Sequence, residues 1–200
     1  NSALNFASDR CSILKNLGMI YMDRKEYVKA EEHFNMALTI DEDDSFTLSN
    51  LGKLLTITNR SEEAIKHLKK AIEITPDYAF AYYNLAKAYQ NLHDFPNAIY
   101  NLMFSLNYEP DDVYSVNVLG RMFLEVGLND RALRTFEQVL EEFDKEDKFA
   151  ILGKAEALNA MGNSKKALEV LEELKKIAKD DKVVTEKIKV LTAKIDNKGN

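Results

Sequence analysis

The chain repeats itself every 34 residues. NLGMIYMDRKEYVKAEEHFNMAL from Asn16 realigns with NLGKLLTITNRSEEAIKHLKKAI from Asn50, and NLAKAYQNLHDFPNAIYNLMFSL from Asn84 is a third copy. With the first repeat set at residues 11–44, the next fall at 45–78, 79–112 and 113–146, and a fifth fits 148–181 after a one-residue insertion. A unit this short cannot bury its own apolar faces, so copies must stack into an array that shares one core. Composition says what the units are made of. Three prolines and seven glycines in 200 residues, amid abundant alanine, leucine, lysine and glutamate, favour helix nearly throughout, and 46% hydrophobic residues are ample for a continuous core. The expected fold class is all-α.

Within the repeat, leucine at place seven is Leu17, Leu51, Leu85 and Leu119, and the small residue at place eight is Gly18, Gly52, Ala86, Gly120 and Ala155. Place twenty is Ala30, Ala64, Ala98, Ala132 and Ala167; place twenty-four is Phe34, Leu68, Leu102, Phe136 and Leu171; Pro76 and Pro110 stand at place thirty-two. Small residues at places eight and twenty let two helices of one repeat approach closely, while the large residues fill the space around the crossing. The pattern resembles the tetratricopeptide repeat (TPR) family, departing from it at Glu42 and Asp144, which replace the proline, and at Lys154, which replaces the leucine. The resemblance implies a right-handed superhelical solenoid of antiparallel helix pairs whose concave wall is lined by the first helix of each repeat.

Both ends extend the array. Val184, Ile188, Leu191 and Ile195 form an apolar stripe at helical spacing with Lys182, Glu186, Lys187, Lys189 and Lys194 facing elsewhere, so 182–196 reads as a capping helix. Residues 1–10 align with the last ten of repeat one and read as the second helix of a preceding repeat, which implies a longer parent protein with at least one more repeat upstream. The whole of 1–200 then forms one domain.

The formal net charge of -6 argues against the broad positive field that non-specific nucleic-acid binding needs. Residues 141–200 are balanced, with 13 basic against 13 acidic, so the excess lies in residues 1–140, with 14 against 20. No apolar run approaches the roughly 18 to 20 residues of a membrane span. The single cysteine, Cys11, fits a reducing compartment and tilts the localisation toward the cytoplasm; since the chain starts at Asn1, an upstream targeting segment stays open. Chemistry-bearing motifs are missing: there is no glycine-rich phosphate loop, nucleophile elbow, CxxC pair or HExxH. His33 and His67 share place twenty-three and His93 falls in the turn of repeat three, so the three do not converge as metal ligands. The acidic runs at 41–44 and 141–147 fall at inter-repeat turns, where carboxylates favour the next helix N-terminus. Neither catalysis nor a cofactor is expected.

Function is therefore sought on the concave face, at places two, five, six, nine, twelve and thirteen of each first helix. Place six is Asn16, Asn50 and Asn84, then Val118 and Gly153. Place nine is Lys53, Lys87 and Arg121, flanked by Met19 and Glu156; place two is Phe46, Phe80, Tyr114 and Phe149; Tyr83 and Asn117 stand at place five. Asparagine amides spaced by the repeat can bracket peptide groups of an extended ligand, although asparagine is common at this place across the family. The cationic row stands out in an acidic segment and attracts carboxylates, and the aromatic row offers the kind of area found at interface hot spots or, equally, packs adjacent repeats. Together they suggest a protein or peptide ligand with acidic and apolar side chains, held across repeats two to four. The two-carboxylate clamp of TPR proteins that bind Hsp70 or Hsp90 tails is broken: Met19 stands where it needs asparagine, and Phe80 and Asn84 replace its lysine and arginine. Three other roles compete: a recruiting arm of a larger enzyme, a self-associating structural array, and, last, RNA binding.

Overall fold

In a computed structural model, which describes the backbone of residues 2–196 and side chains from residue 8 onward, eleven helices and no strand occur among the described residues. They pack as two compact units, Asn1–Pro110 and Asp111–Asn200. The first holds three hairpins: α1 (Ser2–Asp23) with α2 (Tyr27–Leu38), α3 (Ser45–Ile57) with α4 (Ser61–Ile74), and α5 (Ala79–Asn91) with α6 (Phe95–Tyr108). The second pairs α7 (Val113–Glu125) with α8 (Asn129–Gln138) and α9 (Lys148–Ala160) with α10 (Ser164–Ile177), and closes on α11 (Lys182–Asp196). The fold class is all-α, as the repeat implies.

One backbone device makes every hairpin. Place fifteen has positive φ in all five repeats, at Lys25 (61°), Asn59 (60°), His93 (57°), Gly127 (75°) and Gly162 (86°). The next residue's N–H then donates to the carbonyl five residues back, as Glu26 to Tyr21, Arg60 to Leu55, Asp94 to Tyr89, Leu128 to Phe123 and Asn163 to Leu158, at 2.8–3.0 Å. This left-handed stop satisfies the carbonyls a helix end leaves open and turns the chain back within three residues.

The small residues do what close packing asks of them. Ala30, Ala64, Ala98, Ala132 and Ala167 are all 0% exposed. A Cβ added to Gly18 would come within 2.5 Å of the Phe34 ring, one on Gly52 within 2.5 Å of Leu68, and one on Gly120 within 2.7 Å of Phe136. The backbone of each first helix thus rests directly on the place twenty-four side chain of its partner. Phe136 is met from a second side: a Cβ on Gly153, in the next repeat, would lie 2.3 Å from its ring.

Starts of first helices are equally regular. Asp44, Asp112 and Asp147 accept from the backbone N–H three residues on, at Thr47, Ser115 and Ala150, and Asp181 does the same for Val184. The acidic inter-repeat turns therefore supply N-caps. Tyr78 occupies the corresponding position before α5 and makes no such bond.

The one-residue insertion has a definite location. After α8 the chain widens into a π-helical turn, Val139–Phe143, closed by the Asp144 N–H donating to the Val139 carbonyl at 3.0 Å. A π turn is an α-helix carrying one extra residue. The insertion is absorbed inside the second helix of repeat four, not in the turn ahead of residue 148.

The ends differ from each other in how they match expectation. α11 packs against α10 with Val184 at 0% and Leu191 at 5% exposure, which is the capping helix. At the other end, the expected break before Cys11 does not occur. α1 runs unbroken from Ser2 to Asp23, because no proline or glycine interrupts the stretch before Gly18. Residues 2–10 therefore extend the first helix of repeat one and form no separate second helix.

Since only glycine takes positive φ without steric penalty, Lys25→Gly is expected to raise stability and Gly162→Ala to lower it, each by about 1 kcal/mol. Urea midpoints with unchanged slope check both.

Candidate functional site

First helices carry the candidate residues, and the two units present them differently. In the first unit, cations sit over the aromatic row. Lys15 Nζ lies 5.6 Å from the Phe46 ring centroid, and Lys53 Nζ lies 5.8 Å from that of Phe80. Each cation of one repeat faces the place-two ring of the next, within range of a cation–π attraction. Lys15 also pairs with the N-cap Asp44 at 2.5 Å. Burial works to lower the Lys15 pKa, but the hydrogen bond and charge of Asp44 outweigh it and hold the ammonium above its ordinary value. Lys87 donates to Gln90 Oε1 at 2.6 Å. Phe46 is exposed, and Phe80 and Tyr83 are half-buried.

The asparagine row is not a row of outward amides. Asn16 is exposed, but Asn50 and Asn84 are each 3% exposed. Their Nδ2 groups donate to carbonyls of their own helices, Asn50 to Phe46 at 2.9 Å and Asn84 to Phe80 at 2.7 Å. Repeat spacing located the position correctly on the first helix, yet place six lies where neighbouring repeats meet, as the approach of Gly153 to Phe136 shows. These two side chains fill and satisfy the interior of the stack.

In the second unit the face is open. Tyr114 and Phe149 are 64% and 75% exposed. They flank a cavity of about 480 Å³ lined also by Val118, Leu152, Val183 and Phe136. Its polar wall is a network: Arg121 Nη1 donates to Glu156 Oε2 at 2.5 Å, and Lys187 Nζ donates to Glu156 Oε1 at 2.6 Å. Asn117, 9% exposed, directs its Nδ2 to Asp147 Oδ1 at 3.3 Å. Arg121 therefore does not stand as an isolated cation of the place-nine row, because the carboxylate at place nine of the next repeat holds it.

Leu152, Glu156, Val183 and Lys187 escaped the sequence-based site. The signal existed, however, since carrying the 34-residue register past 181 puts Val183 at place two and Lys187 at place six of a sixth first helix. Both residues adjoin the capping stripe on the same helix. Among the described residues no group of three or more His, Cys, Asp or Glu is arranged to hold a metal ion, and no helix is long and apolar enough to cross a membrane.

Comparison with known proteins adds the following. Models described as tetratricopeptide repeat match residues 12–44 and 123–185, and one described as TPR repeat matches 52–92. No curated protein matches the chain in sequence. Among solved structures, PilW, a widely conserved type IV pilus biogenesis factor, superposes with a TM-score of 0.79 at 24% identity, covering 92% of this chain and 86% of that one. A tetratricopeptide repeat protein from Parabacteroides merdae gives 0.81 at 20% identity, covering 92% and 72%. YrrB, a TPR protein with an unusual peptide-binding site, gives 0.74 at 20% identity, covering 88% and 90%.

Two outcomes check this geometry. Asn50→Ala and Asn84→Ala are each expected to lower stability by about 1 kcal/mol in urea denaturation, as loss of a buried hydrogen bond requires. Lys15→Met is expected to cost ~1 kcal/mol near neutral pH. Because the folded pKa of Lys15 is raised, its contribution is complete below the ordinary value of 10.5 and fades as pH rises through the raised one. The gap between variant and parent protein closes over that alkaline range.

Proposed function

The chain belongs to the tetratricopeptide repeat family, and from that premise we propose that it is a protein-interaction module holding an extended partner segment, with acidic and apolar side chains, on its first-helix faces. One observation carries the reading: the cations of the first unit are seated over aromatic rings on first helices, Lys15 over Phe46 and Lys53 over Phe80, in a chain of net negative charge. A cation at the edge of partly exposed aromatic area meets a carboxylate next to an apolar side chain. Lys87 extends the same row in that unit, while Arg121 brings a cation to the equivalent place in the second. Asn16 belongs to the exposed face; Asn50 and Asn84 support it from behind. The peptide-binding site named for YrrB is in keeping with this use of the fold. Repeats of this family act as interaction modules, and the role proposed here is binding without catalysis.

Selection from a peptide display library with the full chain tests it. Enriched sequences are expected to pair Asp or Glu with apolar residues. Against such a peptide, Lys53→Ala, Lys87→Ala and Arg121→Ala are each expected to weaken binding by about two- to fivefold and to reduce its salt dependence, with the melting profile retained. Full affinity in the triple variant would place the binding surface elsewhere.

A further inference from the structure

The two units differ at place six of their first helices. Place six is a buried, self-bonded asparagine in repeats two and three, whereas the second unit has Val118 and then Gly153. Gly153 brings no side chain at all, and its backbone lies against the Phe136 ring. The second unit also holds a cavity of about 480 Å³ with Phe136, Val118 and Leu152 in its lining. That volume is in the range of about 300–1,000 Å³ typical of sites that enclose a ligand group.

Two polar features border the cavity. Asn117 is nine-tenths buried in the cavity wall, and its orientation is fixed electrostatically: Nδ2 faces the Asp147 carboxylate, which would repel Oδ1. Its Oδ1 is buried with no hydrogen-bond partner among the described residues. At the rim, Arg121 and Lys187 share the single carboxylate of Glu156, which leaves one positive charge in excess.

We propose that this cavity is the anchor subsite of the module: it takes a bulky apolar side chain, leucine or phenylalanine, of the partner segment. A carboxylate beside the anchor meets the excess charge of Arg121 and Lys187. The inference rests on the peptide-binding reading above and adds which kind of partner residue is held, and by which repeats. Val118 and Leu152, whose side chains line the cavity, are then specificity determinants, and their apolar surfaces favour an apolar anchor.

The test uses the full chain with labelled Val and Leu methyl groups, titrated with acetyl-Asp-Glu-Phe-Asp-Glu-amide and with the same peptide carrying leucine or alanine at the centre. The phenylalanine and leucine peptides are expected to shift the methyl signals of Val118, Leu152 and Val183 and to bind about tenfold or more tightly than the alanine peptide. Val118→Trp, which fills the cavity, is expected to erase that difference while leaving the helical melting curve in place. The peptide comparison needs no variant, so it stands even where Val118→Trp does not fold. Equal binding of all three peptides, with shifts confined to first-unit methyls, would overturn the subsite and leave the peptide-binding reading standing. Absence of any shift with all three would overturn both.

Discussion

Everything in the molecule hangs on how near one helix backbone comes to the ring or leucine of its partner. At Gly18, Gly52 and Gly120 there is no room for even a methyl group before Phe34, Leu68 and Phe136. Dispersion contacts fall off within an ångström of such distances, so each hairpin has one depth of packing and therefore one geometry. The same crossing fixes which residues remain on the far side of each first helix. Places two and nine keep some exposure in every repeat while place eight is committed inward, and the candidate face is a by-product of the core.

Phe136 shows how far that logic reaches. It is clasped by Gly120 in its own hairpin and by Gly153 in the next, so a single ring joins intra-repeat and inter-repeat packing. At the second glycine the ring takes the space that a place-six side chain would need. The polar groups around the neighbouring cavity, with Glu156 held by two cations and Asn117 held by the cap of the following helix, owe their fixed orientations to the stack beneath them.

Much of this was legible from residue order. The 34-residue period, the small residues at places eight and twenty, the buried place twenty-four and the capping stripe of α11 all follow from size and spacing, and the structure has each where the period puts it. Other features were not. Asn50 and Asn84 stand on the correct helix, but an amide that bonds its own backbone and one that greets a ligand have the same spacing; only the depth of neighbouring side chains separates them. Alignment of residues 1–10 with a second helix relied on apolar matches, whereas helix continuity depends on what interrupts it, and nothing does before Asp23. Lys25, Asn59 and His93 hide the left-handed stop that Gly127 and Gly162 announce, because hydrogen bonding of the turn forces the conformation whatever the residue. The division at Pro110 carries no mark in the period at all.

The π turn at Val139–Phe143 bears on how such a chain tolerates change of length. An extra residue placed in a three-residue hairpin turn would rotate every later helix out of phase, and the apolar stripe of each would lose its neighbour. Lodged within a second helix, the surplus is spent as a single widened loop of backbone, and Asp147 still arrives in position to start α9. Second helices thus act as expansion joints: one insertion is confined to five residues, and the periodic order of the array is restored before the next hairpin begins.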